Sequence, residues 1–227
     1  MEKDDMKLIE FYDFVITFGI KNDLRPEQEI KLLLKKEKES YEKLSEKEKK
    51  YYDIEKLTNP YKDTRILYGD KETDVKNILV GIDIEVPEIL LADTLNKRGK
   101  KIDLVLAHHP EGKAYVNFYE VMGLQADVLN KFGVPINIAE NIMESRIKEV
   151  SRRVMPVNHN RAVDAAKLLG IPFMNCHTPA DNCVATYLQK MFDTKKPKFL
   201  SEIIDLLLKE PEYDYAAKFG NGPTILV

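Results

Sequence analysis

Apolar positions between residues 6 and 21 (Leu8, Ile9, Phe11, Tyr12, Val15, Ile16, Phe18) recur three and four apart, which predicts an amphipathic helix closed by Gly19 and Asn22-Asp23. Pro26 opens a second predicted helix, running to about Tyr51 or Tyr52. Its latter half mixes Glu and Lys at helical spacing and reads as a solvated face. Asn59-Pro60-Tyr61-Lys62-Asp63-Thr64 is a turn-rich connector. From residue 77 the pattern changes. Apolar, β-branched runs at 77–86, 102–107, 135–139, 171–176 and 224–227 predict strands. Helical patterns lie between them at 87–97, 117–132, 141–154, 158–169, 182–192 and 200–209. The helix over 158–169 shows caps, with Asn158 or Asn160 before it and Gly170 then Pro172 after it.

Strands alternating with helices predict an α/β fold, a sheet flanked by helices. Residues 1–75 are expected to form a helical N-terminal extension packed on the core, and residues 76–227 the α/β domain. Gly222-Pro223-Thr224-Ile225-Leu226-Val227 reads as a strand entering a core, so the expectation is a domain truncated at its C-terminus.

Composition narrows the function classes. The chain has 227 residues, 44% of them hydrophobic, which suits one large domain or a domain with an appendage. No run approaches the roughly 20 apolar residues of a membrane span, so no membrane partner is expected. The charged start, Met1-Glu2-Lys3-Asp4-Asp5, has no apolar signal region, and the expected compartment is cytoplasmic. A net charge of -3 with both signs interspersed offers no broad basic footprint. Nucleic-acid binding therefore rests only on the lysines near 31–50, where Glu37, Glu39, Glu42, Glu46 and Glu48 intervene. Cys176 and Cys183 form neither a redox nor a zinc motif and are expected to stay reduced, with Cys176 a small core residue.

The chemistry concentrates in two segments. Leu104-Val105-Leu106-Ala107 ends abruptly in His108-His109-Pro110, and Phe173-Met174-Asn175-Cys176 ends in His177-Thr178-Pro179-Ala180-Asp181. Imidazole is the commonest protein ligand for borderline metals. Ligands of open α/β sheets gather outside the carboxyl ends of strands, so two parallel neighbours ending this way would bring His108, His109, His177 and Asp181 together. Because Pro110 breaks the strand, the rings of His108 and His109 are expected to diverge, a geometry that suits two neighbouring metals. The plainer alternatives are loop histidines bonded to backbone carbonyls, an N-cap role for Asp181 and an outer-shell role for His177. Asp83 could line the cleft or satisfy a backbone amide. Glu111 could act as a base or be a solvated carboxylate. One of Glu140 and Glu144 could reach the same end of the sheet. His159 could cap its helix, contact phosphate or sit in solvent. Arg152-Arg153 could bind an anion, although a solvated helix face is the simpler reading.

Ile78-Leu79-Val80-Gly81-Ile82-Asp83, followed by His108-His109-Pro110 and His177-Thr178-Pro179-Ala180-Asp181, resembles the Nif-three-like family, whose members are often labelled GTP cyclohydrolase type 2 homologues. The resemblance covers about residues 76–110 and 160–192. It implies an α/β fold around a dinuclear metal centre and assembly into homo-oligomeric, hexameric rings. It further implies that His108 and His109 bind different metals, with Asp181 a third, bridging ligand. The family's C-terminal His and Glu ligands have no counterpart here, because no histidine follows His177.

Two functions follow as expectations. The first is a dinuclear metal-dependent hydrolase acting on a phosphate- or nucleotide-containing small molecule of unknown identity. His108, His109 and Asp181 would hold two divalent ions (zinc, manganese, iron, cobalt or nickel), with His177 and Glu111 the catalytic candidates. The second is a non-catalytic protein in which metal stabilises the fold or its assembly, with the charged helical segment 25–52 serving partners.

Overall fold

The computed structural model describes residues 6–116 and 118–223. In chain order its elements are β1 (Met6–Lys7), α1 (Leu8–Lys21), α2 (Glu27–Glu42), α3 (Glu46–Lys49), a 3-10 turn (Ile54–Leu57), β2 (Arg65–Tyr68), β3 (Asp74–Val75) and β4 (Ile78–Gly81). There follow α4 (Val86–Lys97), β5 (Leu104–Ala107), α5 (Gly112–Val116), α6 (Phe118–Val121), α7 (Gly123–Lys131), α8 (Ile136–Val154) and α9 (Arg161–Leu169). Last come β6 (Phe173–Asn175), α10 (Thr178–Lys195), α11 (Leu200–Leu207) and α12 (Pro211–Lys218). Two compact units result, Met1–Cys183 and Val184–Val227.

The first unit is built on a four-stranded sheet of order β2-β6-β5-β4. β4, β5 and β6 are parallel, so their C-terminal ends lie together, and β2 runs antiparallel to β6 at the edge. Central β5 is buried on both faces, as its uninterrupted Leu-Val-Leu-Ala sequence requires. Alternation sends Val105 and Ala107 toward α4 and α9, where Ile89, Ala92, Ala162, Val163 and Ala166 close one core. Leu104 faces the other way and meets Leu8, Tyr12, Val15 and Ile16 of α1, with Met174 beside it. The α/β sheet flanked by helices is therefore as the sequence predicts.

Several boundaries differ, each for an identifiable reason. Residues 1–75 are not wholly a helical extension, because Arg65–Tyr68 joins the sheet and Asp74–Val75 pairs with Met6–Lys7. The charged helix stops at Glu42, since Ser45 accepts from the Glu48 amide while Glu48 bonds back to the Ser45 amide, which starts a new turn. The Pro135–Ala139 strand is the beginning of α8: Ile136 and Ile138 are exposed, and Ala139 and Met143, four apart, pack against α7. Gly170 adopts the left-handed conformation (φ 67°) that ends α9, as its sequence indicates. The expected strand at 224–227 lies outside the described residues, as does Asn117. Cys176 and Cys183 are free thiols.

Two close approaches fix the first unit. A Cβ on Gly19 of α1 would lie 2.7 Å from Pro179 Cβ, so only glycine lets α1 touch the start of α10. Gly19→Ala should cost about 1–3 kcal/mol in urea denaturation. At the opposite pole, Asp103 before β5 accepts from the amides of Lys76 and Asn77 and pairs with Lys101. Burial works against the Asp103 carboxylate, but Lys101 and those amides hold its pKa below the usual range. Its stabilisation is complete above the unfolded value of about 3.9 and disappears as pH falls through the folded value. Asp103→Asn should flatten the loss of stability below about pH 4; an unchanged acid slope would count against this account.

Candidate metal centre

Three adjacent strand ends and the connector before β2 build the site. The backbone ladder continues past the strands, with His108 N donating to Gly81 O (2.9 Å), His109 N to Ile82 O (2.8 Å) and Cys176 N to Ala107 O (2.9 Å). These bonds fix His108, His109 and His177 at the carboxyl edge of the sheet. β2 is antiparallel and begins opposite Asn175, so the residues before it, Asp63 and Thr64, reach the same edge.

The three imidazoles converge, each offering one nitrogen within 4.8 Å of the others. The rings of His108 and His109 stand 5.2 Å apart, and that of His177 is 4.8 Å from His108 and 6.0 Å from His109. This differs from the divergence expected of His108 and His109. The reason is that each ring is tethered to a neighbouring segment: His108 Nδ1 lies 3.2 Å from Cys176 O, and His109 Nδ1 lies 2.6 Å from Asp83 Oδ1. His177 Nδ1 lies 2.8 Å from Asp63 Oδ2.

Asp181, in the first turn of α10, lies beside two of these rings. Its two oxygens lie 3.5 Å from His108 Nε2 and 3.7 Å from His177 Nε2. Two ligands about 2.1 Å from one tetrahedral ion sit about 3.4 Å apart, so these spacings fit a shared cation. Imidazole nitrogen with carboxylate oxygen is also a donor set that borderline divalent metals accept. His108, His109 and His177 are thus the residues that could hold a metal ion, with the Asp181 carboxylate beside His108 and His177.

Electrostatics follow from burial. His177 loses stability as an imidazolium on burial, yet the Asp63 hydrogen bond and the charges of Asp63 and Asp181 raise its pKa overall. Glu111 is half-buried and pushed up to about 7, chiefly by desolvation, with Glu85 and Asp83 raising it further against Arg161.

The other sequence candidates separate clearly. Asp83 lies at the edge of the site, its Oδ1 against His109 Nδ1 rather than a backbone amide. His159 is half-buried, close to Val157 O through its Nδ1, and outside the histidine group. Arg152 and Arg153 lie exposed at the end of α8, with Arg153 paired to Glu149. Glu140 and Glu144 do not follow a strand; with α8 in place they line a separate cavity of about 540 Å³ whose walls also include Arg25, Lys62, Met143 and Thr178. The histidines are not among the residues that line that cavity.

Asp63 was missed in the sequence. It is fully buried, and its Oδ2 also accepts from Thr178 Oγ1 at 2.6 Å. In a turn-rich connector it carried no spacing signal. Phe118 is a second omission, its ring meeting His177 edge-on at 5.2 Å.

No protein-family model matches the chain, and no curated protein matches it. Among solved structures it is similar to a NIF3 superfamily protein from Sphaerobacter thermophilus, with 30% identity and a TM-score of 0.58. The match covers 68% of this chain and 56% of that one, so the chain spans just over half the length of the solved relative. The chain has a Nif-three-like fold. No helix among the described residues is long and apolar enough to cross a membrane.

Proposed function

We propose that the chain provides a divalent-metal centre, with His108, His109 and Asp181 as ligands and His177 as a fourth, in a metal-dependent hydrolase of phosphate- or nucleotide-containing small molecules. The observation that carries this reading is the convergence of three imidazoles beside a carboxylate at the carboxyl ends of parallel strands. Two ions per complete site and homo-oligomeric assembly accompany the reading. Bound divalent ions would supply Lewis-acid polarisation and a water acidic enough to ionise near neutral pH.

The protein's own groups then divide the work. An imidazole binds metal only in its neutral form, so metal affinity should fall in acid. Asp181 is placed between two imidazoles, where it would offset the positive charge. Glu111, with its pKa pushed up to about 7, suits proton transfer at neutral pH and is the general-base candidate. The test is to load the protein with zinc or manganese, screen phosphate esters and GTP, and repeat with His108→Ala. Turnover confined to the parent protein supports the reading; equal turnover in both removes this site as its source.

A specific observation favours a second reading. The ligands come from the segment after β5 and from the β6–α10 junction, and hydrogen bonds link them to Asp83 after β4 and Asp63 of the connector, so a metal there would join four segments of chain. In that case chelation lowers the melting temperature without any activity to lose.

A further inference from the structure

We propose that Asp63 and Asp83 are positioning residues that hold His177 and His109 with the proton on Nδ1, so that both Nε2 lone pairs face the metal site before an ion arrives. This inference rests on the metal-centre reading above. An ionised carboxylate can only accept hydrogen bonds, and so can a backbone carbonyl. A neutral imidazole whose Nδ1 faces such a group must place its N–H there, which leaves Nε2 unprotonated. Every member of the group meets this condition: His177 faces Asp63, His109 faces Asp83, and His108 faces the Cys176 carbonyl. Three acceptor-only partners, drawn from three different segments, thus impose one tautomer on three rings.

The two carboxylates do this with unequal rigidity. Asp63 is fully buried, and the oxygen facing His177 is also held by Thr178 Oγ1. The Asp83 side chain is 75% exposed, and His109 Nδ1 is the partner that holds it. His177 is therefore the fixed ligand and His109 the adaptable one.

Long-range 15N–1H NMR of metal-free protein, at a pH above the imidazole range, reads the tautomers directly. The parent protein should show Nδ1–H for His108, His109 and His177. Asp83→Ala should move His109 toward the Nε2–H form and leave His177 unchanged; Asp63→Ala should do the converse. Each change should weaken zinc binding, measured by calorimetry, about 10–100-fold. Asp63→Asn keeps an oxygen acceptor and should retain the His177 tautomer, and exposed Asp83 gives a variant that folds even if Asp63→Ala does not. An Nε2–H form of His109 or His177 in the parent, or tautomers unmoved by Asp83→Ala, would overturn the proposal. Parent protein with the stated tautomers but no zinc affinity would instead sink the metal reading while upholding the lock.

Discussion

Replacing Arg25 with methionine should cost the fold about 3–5 kcal/mol, read as a lower urea midpoint with little change in slope. Arg25 is the cationic partner of Asp23, at 2.9 Å, with the two side chains 7% and 0% exposed. Burial alone would raise the Asp23 pKa, but the Arg25 hydrogen bonds and charge bring it below the usual carboxylate range. Without the guanidinium the carboxylate keeps the backbone amide of residue 25, the Tyr61 hydroxyl and the Asn182 amide, at 2.9, 2.9 and 3.2 Å. Asn182 follows Asp181 directly and also donates to Gly19 O, so the same network anchors the first turn of α10. Arg25→Met should therefore weaken metal binding as well. The double variant Asp23→Asn with Arg25→Met should recover part of the stability, because the stranded charge is gone. A loss below about 1 kcal/mol in the single variant would show that the pair is not buried as described.

His177→Ala should have the second large effect, on two properties at once. It removes one of the three clustered imidazoles, so zinc affinity should fall by more than the roughly 10–100-fold that an outer-sphere change costs. It also strips Asp63, fully buried, of its imidazole hydrogen-bond partner, leaving the Thr178 hydroxyl on that oxygen. That should lower metal-free stability by about 1–3 kcal/mol. His159→Ala is the matched control, outside the group, and should leave zinc affinity unchanged. Affinity within twofold of the parent in His177→Ala would return His177 to an outer-shell role.

The contrast between His177 and Asp63 shows what the chain reveals in advance. Both histidine motifs end apolar runs that become parallel neighbours, and strand-end position is a local signal. The sheet was legible for the same reason, because Leu104–Ala107 and Phe173–Asn175 are too apolar to lie anywhere but inside. Asp63 and Asp83 act across large separations in sequence, and nothing near either residue records its partner. The connector shows the limit most clearly. Asn59, Pro60 and Asp63 read as a turn-rich connector, yet Asn59, Tyr61, Asp63, Thr64 and Arg65 are buried because their polar groups bond one another, Asn175 of β6 and the His177 amide. At α8, Pro135-Ile136-Asn137-Ile138-Ala139 alternates like a strand over five residues, while the longer spacing Ala139, Met143, Ile147, Val150 carries the helix. A short window favoured the wrong period.

The most direct test of the metal centre is anomalous scattering from crystals grown with zinc. The account predicts a peak bounded by the Nε2 atoms of His108, His109 and His177 and by the Asp181 carboxylate. Zinc found only at other residues, with that pocket vacant under saturating metal, would contradict it.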